Sequence, residues 1–532
     1  MNTLRQADPV TAPFEGAQHY LRADHLGTLL LARVAQTPDA VALRLVDGDD
    51  WTWGRLADEV GAIQAGLARM GLVPGDRVAL MCENALRMVA ALCAVTASGL
   101  VAVPVNTAQV GQGLAFVLEH CGARVLIADP PYLARCEAVG LPAAIVQSIS
   151  TGADASGWRA AFGRGAAPMA SGSAADPAMV IYTSGTTGVP KGVVIGHGCA
   201  LTGAHAAAAV MLEATPSTVI HTCLPLYHCA AQQLGLWPAL LSGAQLVMAA
   251  RFSATAFWDQ IQRYRATAFH FVGPMTSLLW KAPPAAMDRE HGARIAVGGG
   301  PRIAWRAFEE RFAIDFVECY GMTETFGGCI AHRPGRNRAG SVGKAMAHVG
   351  LEIRDEQGAV VPMGTVGEIA IQARAPHALF NGYFRRDDLT REALRGGWFH
   401  TGDLGAVDAD GYLTYHSRAR DLIRRRGENV SALAVEEAAI ACAGIVECGV
   451  VGVPSELGEE DILAVLVTDP AMPRPPWSAL TEALQARLPA FAVPRYLCFA
   501  EALPKTVTGR LQRHLLQPLA ATAFDRAAQR DG

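Results

Sequence analysis

The chain has little that would place it outside the class of reduced, globular proteins. Its 12 cysteines contain no C-x-x-C pair, so neither a zinc site nor a disulfide framework is indicated. Reduced thiols in a cytoplasmic protein are the expectation. No strong excess of charge of either sign occurs: the formal net charge is -4 and the pI is near 6.4. Nucleic acids and anionic membranes attract basic surfaces, so neither is expected as the main partner. The opening MNTLRQADPV lacks the apolar stretch of a secretory signal. The run most like a membrane span, residues 89–105, is interrupted by Gly99 and Pro104. It is also short of the ~20 residues a span requires, and reads as a buried helix followed by a buried strand. No internal repeat is found, and no G-x-x-x-x-G-K-[ST] phosphate loop.

What is present is apolar and alternating. Hydrophobic residues make up 51% of 532 residues, and mean hydropathy is +0.20, as suits an alanine-rich, heavily buried α/β protein. Such a length suggests two to four domains. Leu56, Val60, Ile63 and Leu67 recur at helical spacing, with Gly71 as a stop. Residues 77–81, 101–105 and 124–128 are short apolar runs that suit strands. This alternation predicts a layered α/β fold with largely parallel strands, resumed over residues 179–313. Residues 152–176, rich in Gly, Ala and Ser, read as an exposed linker. From 342 to 415, β alternation around Gly-containing turns predicts a small β subdomain. After Arg418 the pattern becomes helix (432–443), strands (445–453 and 462–467) and helix (477–488), a small α+β domain. The expected division is therefore residues 1–419 and residues 420–532.

The most informative segment is YTSGTTGVPKG, residues 182–192, which follows the apolar run AMVIYT. Gly185 and Gly188 let a backbone close around phosphate oxygens with its N–H groups exposed. Thr183, Ser184, Thr186 and Thr187 add hydroxyl donors, Lys191 adds a cation, and Pro190 stiffens the turn. A solvated Gly/Ser/Thr loop rarely combines such hydroxyl density with a lysine directly after a buried strand.

This segment resembles the phosphate-binding loop of the AMP-forming adenylating superfamily, which includes acyl-CoA synthetases and the adenylation domains of peptide synthetases. Further motifs follow in the family's order, and the likeness extends over nearly the whole chain. PLYH (225–228) is similar to the segment at the acyl and pantetheine entrance, which implies His228 as an aromatic gate. It also implies an acyl pocket formed by His228, Cys229, Phe271, Met275 and Thr325. GGGPR (298–302), with Gly299, Gly300 and Pro301, resembles the loop against adenine. YGMTE (320–324) resembles the motif in which Tyr320 stacks on adenine beside Gly321, Thr323 binds the α-phosphate and Glu324 holds Mg²⁺. TGD (401–403) resembles the ribose clamp, with Asp403 on the hydroxyls. SRARD (417–421) resembles the hinge, with Arg418 on the nucleotide and Arg420 at the pivot. GENV (427–430) resembles the loop that builds the thiol channel from Gly427, Glu428 and Asn429. RRRGENVS (424–431), FAVPRYLCF (491–499) and the tail AFDRAAQRDG are closest in look to the carnitine/crotonobetaine–CoA ligase-like branch.

The chemistry gives independent reasons for these residue types. Attack of a carboxylate on an α-phosphate sets anion against anion, so the site must neutralise charge and align the reactants. Mg²⁺ prefers oxygen ligands and usually takes one or two protein carboxylates together with phosphates, which suits Glu324. Taken alone, Asp403 after Gly402 reads as a turn aspartate, His228 and Tyr320 as core residues, and the arginines at 424–426 as a solvated basic face. The arginines could also meet the phosphates of coenzyme A.

Two positions depart from the family pattern. Arg420 stands where the hinge usually carries Asp or Lys. Arg510, in PKTVTGRLQR, stands where the family lysine bridges the carboxylate and α-phosphate during adenylation. A guanidinium keeps that charge but is wider, planar and differently hydrated. The resemblance thus implies an enzyme that uses ATP, Mg²⁺ and coenzyme A to convert a small-molecule carboxylic acid into an acyl-adenylate and then a thioester, with Lys191, Thr323, Glu324, Arg510 and His228 at the chemistry. Two other readings stay open: loading of a carrier protein's phosphopantetheine, and a nucleotide- or acyl-adenylate-binding protein whose adenylation is impaired at Arg510. A homodimer would be unsurprising for this resemblance.

Overall fold

The computed structural model describes residues 25–152, 155–163, 169–183, 190–300, 305–418, 422–425, 428–455, 460–505 and 511–528. Contacts group the chain into two units. The first is Met1–Leu351, Ile371–Phe399 and Asp410–Tyr412; the second is Glu352–Ala370, His400–Ala409 and Leu413–Gly532. Residues 352–370 and 400–409 thus group with the C-terminal part, unlike a single cut after residue 419.

In the first unit, one seven-stranded sheet runs in the order Gly382–Tyr383, Lys191–Gly196, Pro177–Thr183, Val101–Pro104, Arg77–Met81, Val125–Ala128, Gln147–Ser150. From Pro177–Thr183 onward the strands are parallel, and the two strands before it are antiparallel. VAVP and VLIA are buried at every position, as strands covered on both faces must be. A nine-stranded sheet has parallel strands from Asp315–Met322 through Ile295–Gly299, Ala268–Val272, Val219–Thr222 and Gln245–Met248 to Val41–Leu45. Antiparallel strands close both of its edges.

Helix Trp53–Arg69 starts where the Thr52 side chain accepts from the Arg55 N–H, and it buries Leu56, Val60, Ile63 and Leu67. Each such side chain contributes about 1.5–3 kcal/mol on burial. The apolar run at 89–105 resolves into helix Leu86–Ala97 and strand Val101–Pro104. Among the described residues no helix is long and apolar enough to cross a membrane.

The expected linker at 152–176 is a correction. It contains helix Ala155–Phe162, whose Trp158 and Phe162 are buried with ring centroids 4.7 Å apart. Gly66 makes the space: a Cβ there would lie 2.6 Å from the Phe162 ring. Two aromatics one helical turn apart outweigh a composition that otherwise reads as loop.

In the second unit, strands Ile445–Pro454, Glu460–Thr468, Tyr496–Phe499 and Phe524–Asp525 form a four-stranded sheet. Helices Ala432–Ile440 and Trp477–Gln485 contribute Val435, Ala439, Leu480 and Leu484 to its core. Ser431 caps the first helix, its hydroxyl accepting from the Ala434 N–H. Arg425 corrects the reading of residues 424–426 as a basic face. It is buried, and its guanidinium donates to Asp461 Oδ1 at 3.0 Å and to the carbonyls of Phe491 and Val493. A cation without such partners would not be buried.

Candidate active site

Register decides what the phosphate-loop strand presents. Strands Pro177–Thr183 and Lys191–Gly196 pair Thr183 with Lys191, Tyr182 with Gly192 and Ile181 with Val193. Tyr383, from the short strand Gly382–Tyr383, pairs with Val193 on the other side. Side chains alternate along a strand, so Thr183, Lys191, Val193 and Tyr383 share one face. The Lys191 ammonium sits over the Tyr383 ring, 5.5 Å from its centroid. Tyr182 points the other way, packing with Val180, Val194 and Phe384 in a core cluster. Its hydroxyl is 2.7 Å from His120 Nδ1, and burial pushes its phenol well above the ordinary range. Ser184, Gly185, Thr186, Thr187 and Gly188 lie outside the described residues.

Thr323–Thr325 form a single 3-10 turn. The Thr325 hydroxyl accepts from the Met322 N–H at 3.0 Å and reaches the Gly327 carbonyl at 2.6 Å. That side chain is therefore engaged in holding the turn. The turn presents Glu324, whose Oε1 accepts from the Tyr383 hydroxyl at 2.8 Å, while its carbonyl accepts from the Phe380 N–H at 3.0 Å. Burial first, and then the Glu324 charge, push the Tyr383 phenol well above its ordinary range, so it remains a protonated donor.

Cys229 Sγ is 3.8 Å from Thr323 Oγ1, and burial pushes its thiol up to about 11. His228 precedes it, edge-on to Tyr227 with centroids 4.7 Å apart. Its buried Nε2 has no hydrogen-bond partner among the described residues, and burial lowers its pKa to about 4. The imidazole is thus neutral at physiological pH. Tyr320 is buried and lies opposite Ile330 in the sheet. Gly299 is confined, since a Cβ there would approach the Cys319 carbonyl to 3.0 Å. Gly300 has φ +66° with open space around it; Pro301 lies outside the described residues. Phe271 packs into the core, stacked on Phe316 at 4.3 Å. Met275 is buried with its sulfur 3.9 Å from Cys223 Sγ.

In the second unit, Gly402 takes φ +70° in open space, and its N–H donates to Glu368 Oε1 at 3.1 Å. Asp403 follows within strand Trp398–Val407, so it is a strand residue and not a turn aspartate; it is buried and paired across the sheet with Arg418. The Arg418 Nε lies 3.3 Å from Asp403 Oδ1. The Thr401 hydroxyl donates to the Ile369 carbonyl at 2.8 Å and accepts from the Asp403 N–H at 3.1 Å. Glu428 and Asn429 lie on strand Glu428–Ser431, paired with Leu422–Arg425. Arg420, Gly427 and Arg510 lie outside the described residues. Lys505, near Arg510 in sequence, is held by both carboxylate oxygens of Glu447 at 2.7 Å.

The residue that motif reading misses is Tyr383, whose Gly-Tyr context reads as an ordinary turn. Its two contacts lie 59 residues (Glu324) and much further (Lys191) away in sequence. Its immediate context, LFNGYF at 379–384, is mostly apolar and gives no local signal of the role.

Residues 30–384 match the family model described as AMP-binding enzyme, and residues 434–510 match the AMP-binding enzyme C-terminal domain. A sulfoacetate–CoA ligase of Cupriavidus necator is 32% identical over 507 residues, covering 92% of this chain and 97% of that protein. A crotonobetaine/carnitine–CoA ligase of Salmonella paratyphi C is 30% identical over 482 residues, covering 87% and 92%. Among solved structures, ATP-bound MatB from Rhodopseudomonas palustris has a TM-score of 0.84 at 26% identity, covering 93% of this chain and 99% of that one. An anthranilate–CoA ligase, AuaEII, in complex with anthranoyl-AMP shares the fold, with a TM-score of 0.87 at 24% identity over 96% and 99% of the two chains. The chain belongs to the AMP-binding enzyme family, among its AMP-forming acid–CoA ligases.

Proposed function

We propose that this ligase joins a small carboxylic acid with an otherwise uncharged acyl group to coenzyme A in two steps, through an acyl-adenylate with loss of pyrophosphate and then a thioester with loss of AMP. The observation that carries the reading is the meeting of Lys191, Tyr383 and Glu324, where a cation and a carboxylate converge on one hydroxylated ring. That is the charge pattern a metal–triphosphate complex needs.

Among the described residues there is no cluster of three or more potential metal ligands. A single half-buried carboxylate beside a threonine hydroxyl fits Mg²⁺, which keeps waters and phosphates as its remaining ligands. In this reading Glu324 holds that ion, whose charge offsets the approach of carboxylate to phosphate. Lys191 and the hydroxyls of the loop from Thr183 hold the departing β- and γ-phosphates. Thr323 donates to the α-phosphate, Tyr320 covers adenine, and Asp403, oriented by Arg418, accepts from the ribose. Arg510 supplies a cation to the acid and the α-phosphate. Residues 420–532 then move about Arg420, and Gly427, Glu428 and Asn429 line the thiol's path.

Support for an uncharged acyl group comes from the proposed pocket. Cys229, Phe271, Met275 and Thr325 carry no charge at neutral pH, and burial keeps His228 neutral as well. Relatives named for sulfoacetate and for crotonobetaine or carnitine take acids with charged tails, so a sharp test is available. Acid-dependent ATP–pyrophosphate exchange is measured across short neutral, cationic and anionic acids, followed by AMP release with coenzyme A or a phosphopantetheinylated carrier protein. The expected result is exchange with neutral acids and release with coenzyme A. Exchange restricted to charged acids would overturn the pocket assignment, and release only with a carrier would overturn the acceptor.

A further inference from the structure

The segment from Phe380 to Phe384 is strapped by two backbone bonds to the phosphate-loop strand and by a third to the turn that carries Glu324. The Asn381 N–H donates to the Val194 carbonyl at 2.8 Å, and the Phe384 N–H to the Gly192 carbonyl at 2.7 Å. The Phe380 N–H donates to the Glu324 carbonyl at 3.0 Å. The same short strap therefore fixes both the strand that carries Lys191 and the turn that carries Glu324. Tyr383 is the side chain that reaches both. Its pairing with Val193 places it diagonal to Lys191 on the same face, a spacing at which an aromatic and a long side chain meet. Its ring lies 5.5 Å below the ammonium, and its hydroxyl is 2.8 Å from Glu324 Oε1. Phe380 packs edge-on against the ring, centroids 5.1 Å apart, and limits its rotation.

We infer that Tyr383 is a positioning residue for the nucleotide–metal site: its hydroxyl orients the Glu324 carboxylate toward the metal, and its ring orients the Lys191 ammonium toward the phosphates. The inference rests on the ligase reading given above. The carboxylate oxygen is held by a neutral donor, which steers it without cancelling its charge. Hydrogen bonds of this kind behind a metal ligand typically govern tenfold to a hundredfold in metal affinity. The ring acts separately, because a cation held over an aromatic face is already directed before the phosphates arrive.

The two parts can be separated with two variants. Tyr383→Phe removes the hydroxyl but keeps the ring, its packing on Phe380 and its contact with Lys191; Tyr383→Leu removes both. ATP binding to the full chain is measured by calorimetry without metal and across a Mg²⁺ titration, with no acid present so that nothing turns over. Acid-dependent pyrophosphate exchange is then measured over the same titration. Tyr383→Phe is expected to bind metal-free ATP as wild type does and to need about tenfold more Mg²⁺ for half-saturation. Its exchange rate should be restored by excess Mg²⁺. Tyr383→Leu should show the same metal shift and, in addition, about threefold weaker metal-free ATP binding. An unchanged Mg²⁺ dependence in Tyr383→Phe, or a loss of exchange that excess Mg²⁺ does not restore, overturns the inference while leaving the ligase reading intact. A wild-type protein that binds no ATP overturns the ligase reading, and the inference with it.

Discussion

A Cβ on Gly321 would lie 1.8 Å from the carbonyl oxygen of Gly327. The two strands that flank the Thr323–Thr325 turn pass each other at that point, and only the missing side chain lets the turn close. Gly321→Ala must push them apart, at a cost of about 3 kcal/mol, and the displacement reaches Thr323 and Glu324 directly. The expected result is a lower denaturation midpoint together with loss of pyrophosphate exchange. Gly402→Ala makes the contrast: φ is +70° but nothing lies within 4 Å, so only left-handed backbone strain of about 1–2 kcal/mol applies. Equal midpoints for the two variants would show that the close approach is not limiting.

Glu324→Gln removes the charge while retaining an oxygen that accepts from the Tyr383 hydroxyl. The turn should therefore stay folded, with a melting temperature close to wild type. Exchange at low Mg²⁺ should fall about a hundredfold, the scale for removing one preorganised charge-stabilising group. Near wild-type exchange at low Mg²⁺ would show that this carboxylate does not hold the metal.

Asp403→Asn tests the proposed ribose contact. Asp403 is buried with Arg418 beside it, so its charge is already oriented and desolvated. Hydrogen bonds to charged groups are worth about 1.5–3 kcal/mol, which predicts at least a tenfold loss of AMP affinity by calorimetry. AMP binding unchanged within twofold would remove Asp403 from the ribose.

How much of this was legible in the sequence depends on the distance over which each signal acts. VLIA and VAVP declare buried parallel strands because burial on both faces leaves no polar position. Helix Trp53–Arg69 is declared by the spacing of Leu56, Val60, Ile63 and Leu67. Helix Ala155–Phe162 was hidden by small residues, since only Trp158 and Phe162 carry its apolar face. Arg425 looked solvated because its partner, Asp461, is 36 residues away, and no local pattern reports it. The stacking of Phe271 on Phe316 reaches across the intervening strand Ile295–Gly299, a contact that only the strand order creates. Tyr383 was invisible for the same reason: its meaning comes from register, which pairs it with Val193 and so places it beside Lys191.

His25 and His197 give a prediction about pH. Their rings lie 3.7 Å apart, centroid to centroid, and both are buried. His25 Nδ1 accepts from the Gly27 N–H at 3.0 Å, and His197 Nδ1 from the Leu26 N–H at 3.3 Å. Protonation at Nδ1 would turn each acceptor into a donor facing a donor at the start of helix Leu26–Gln36. Burial lowers both values, that of His197 to about 3 from its ordinary 6.5. The unfolded chain therefore takes up these protons first as pH falls. Stability from the pair is complete above about 6.5 and falls below it, the His197 contribution being lost progressively toward about 3 by up to about 1.4 kcal/mol per pH unit. Hydrogen exchange of residues 26–36, corrected for the intrinsic rate, should show protection that is flat above 6.5 and falls below it. His197→Gln keeps an acceptor but cannot titrate, and should reduce the slope by about one proton. Protection independent of pH between 4 and 7 would contradict the assignment.

Arg510 stands where the family carries lysine. Adenylation needs a cation between carboxylate and α-phosphate as charge shifts, and removing such a group costs about a hundredfold in rate. The nearby lysine is not a substitute, because Lys505 Nζ is held by both oxygens of Glu447 at 2.7 Å and stands five residues earlier in the motif. A guanidinium could serve only in a site matched to its wider planar fork. The other site motifs are intact, which favours a matched site over a decayed one. Arg510→Ala should therefore depress pyrophosphate exchange about a hundredfold, Arg510→Lys should not raise it above wild type, and Lys505→Ala should leave it unchanged. In all these proteins, synthetic acyl-adenylate and coenzyme A should give thioester at nearly the same rate, because that step has no such charge to bridge. An increase in exchange with Arg510→Lys would mark the position as decayed, and a strong effect of Arg510→Ala on the thioester step would remove it from adenylation altogether.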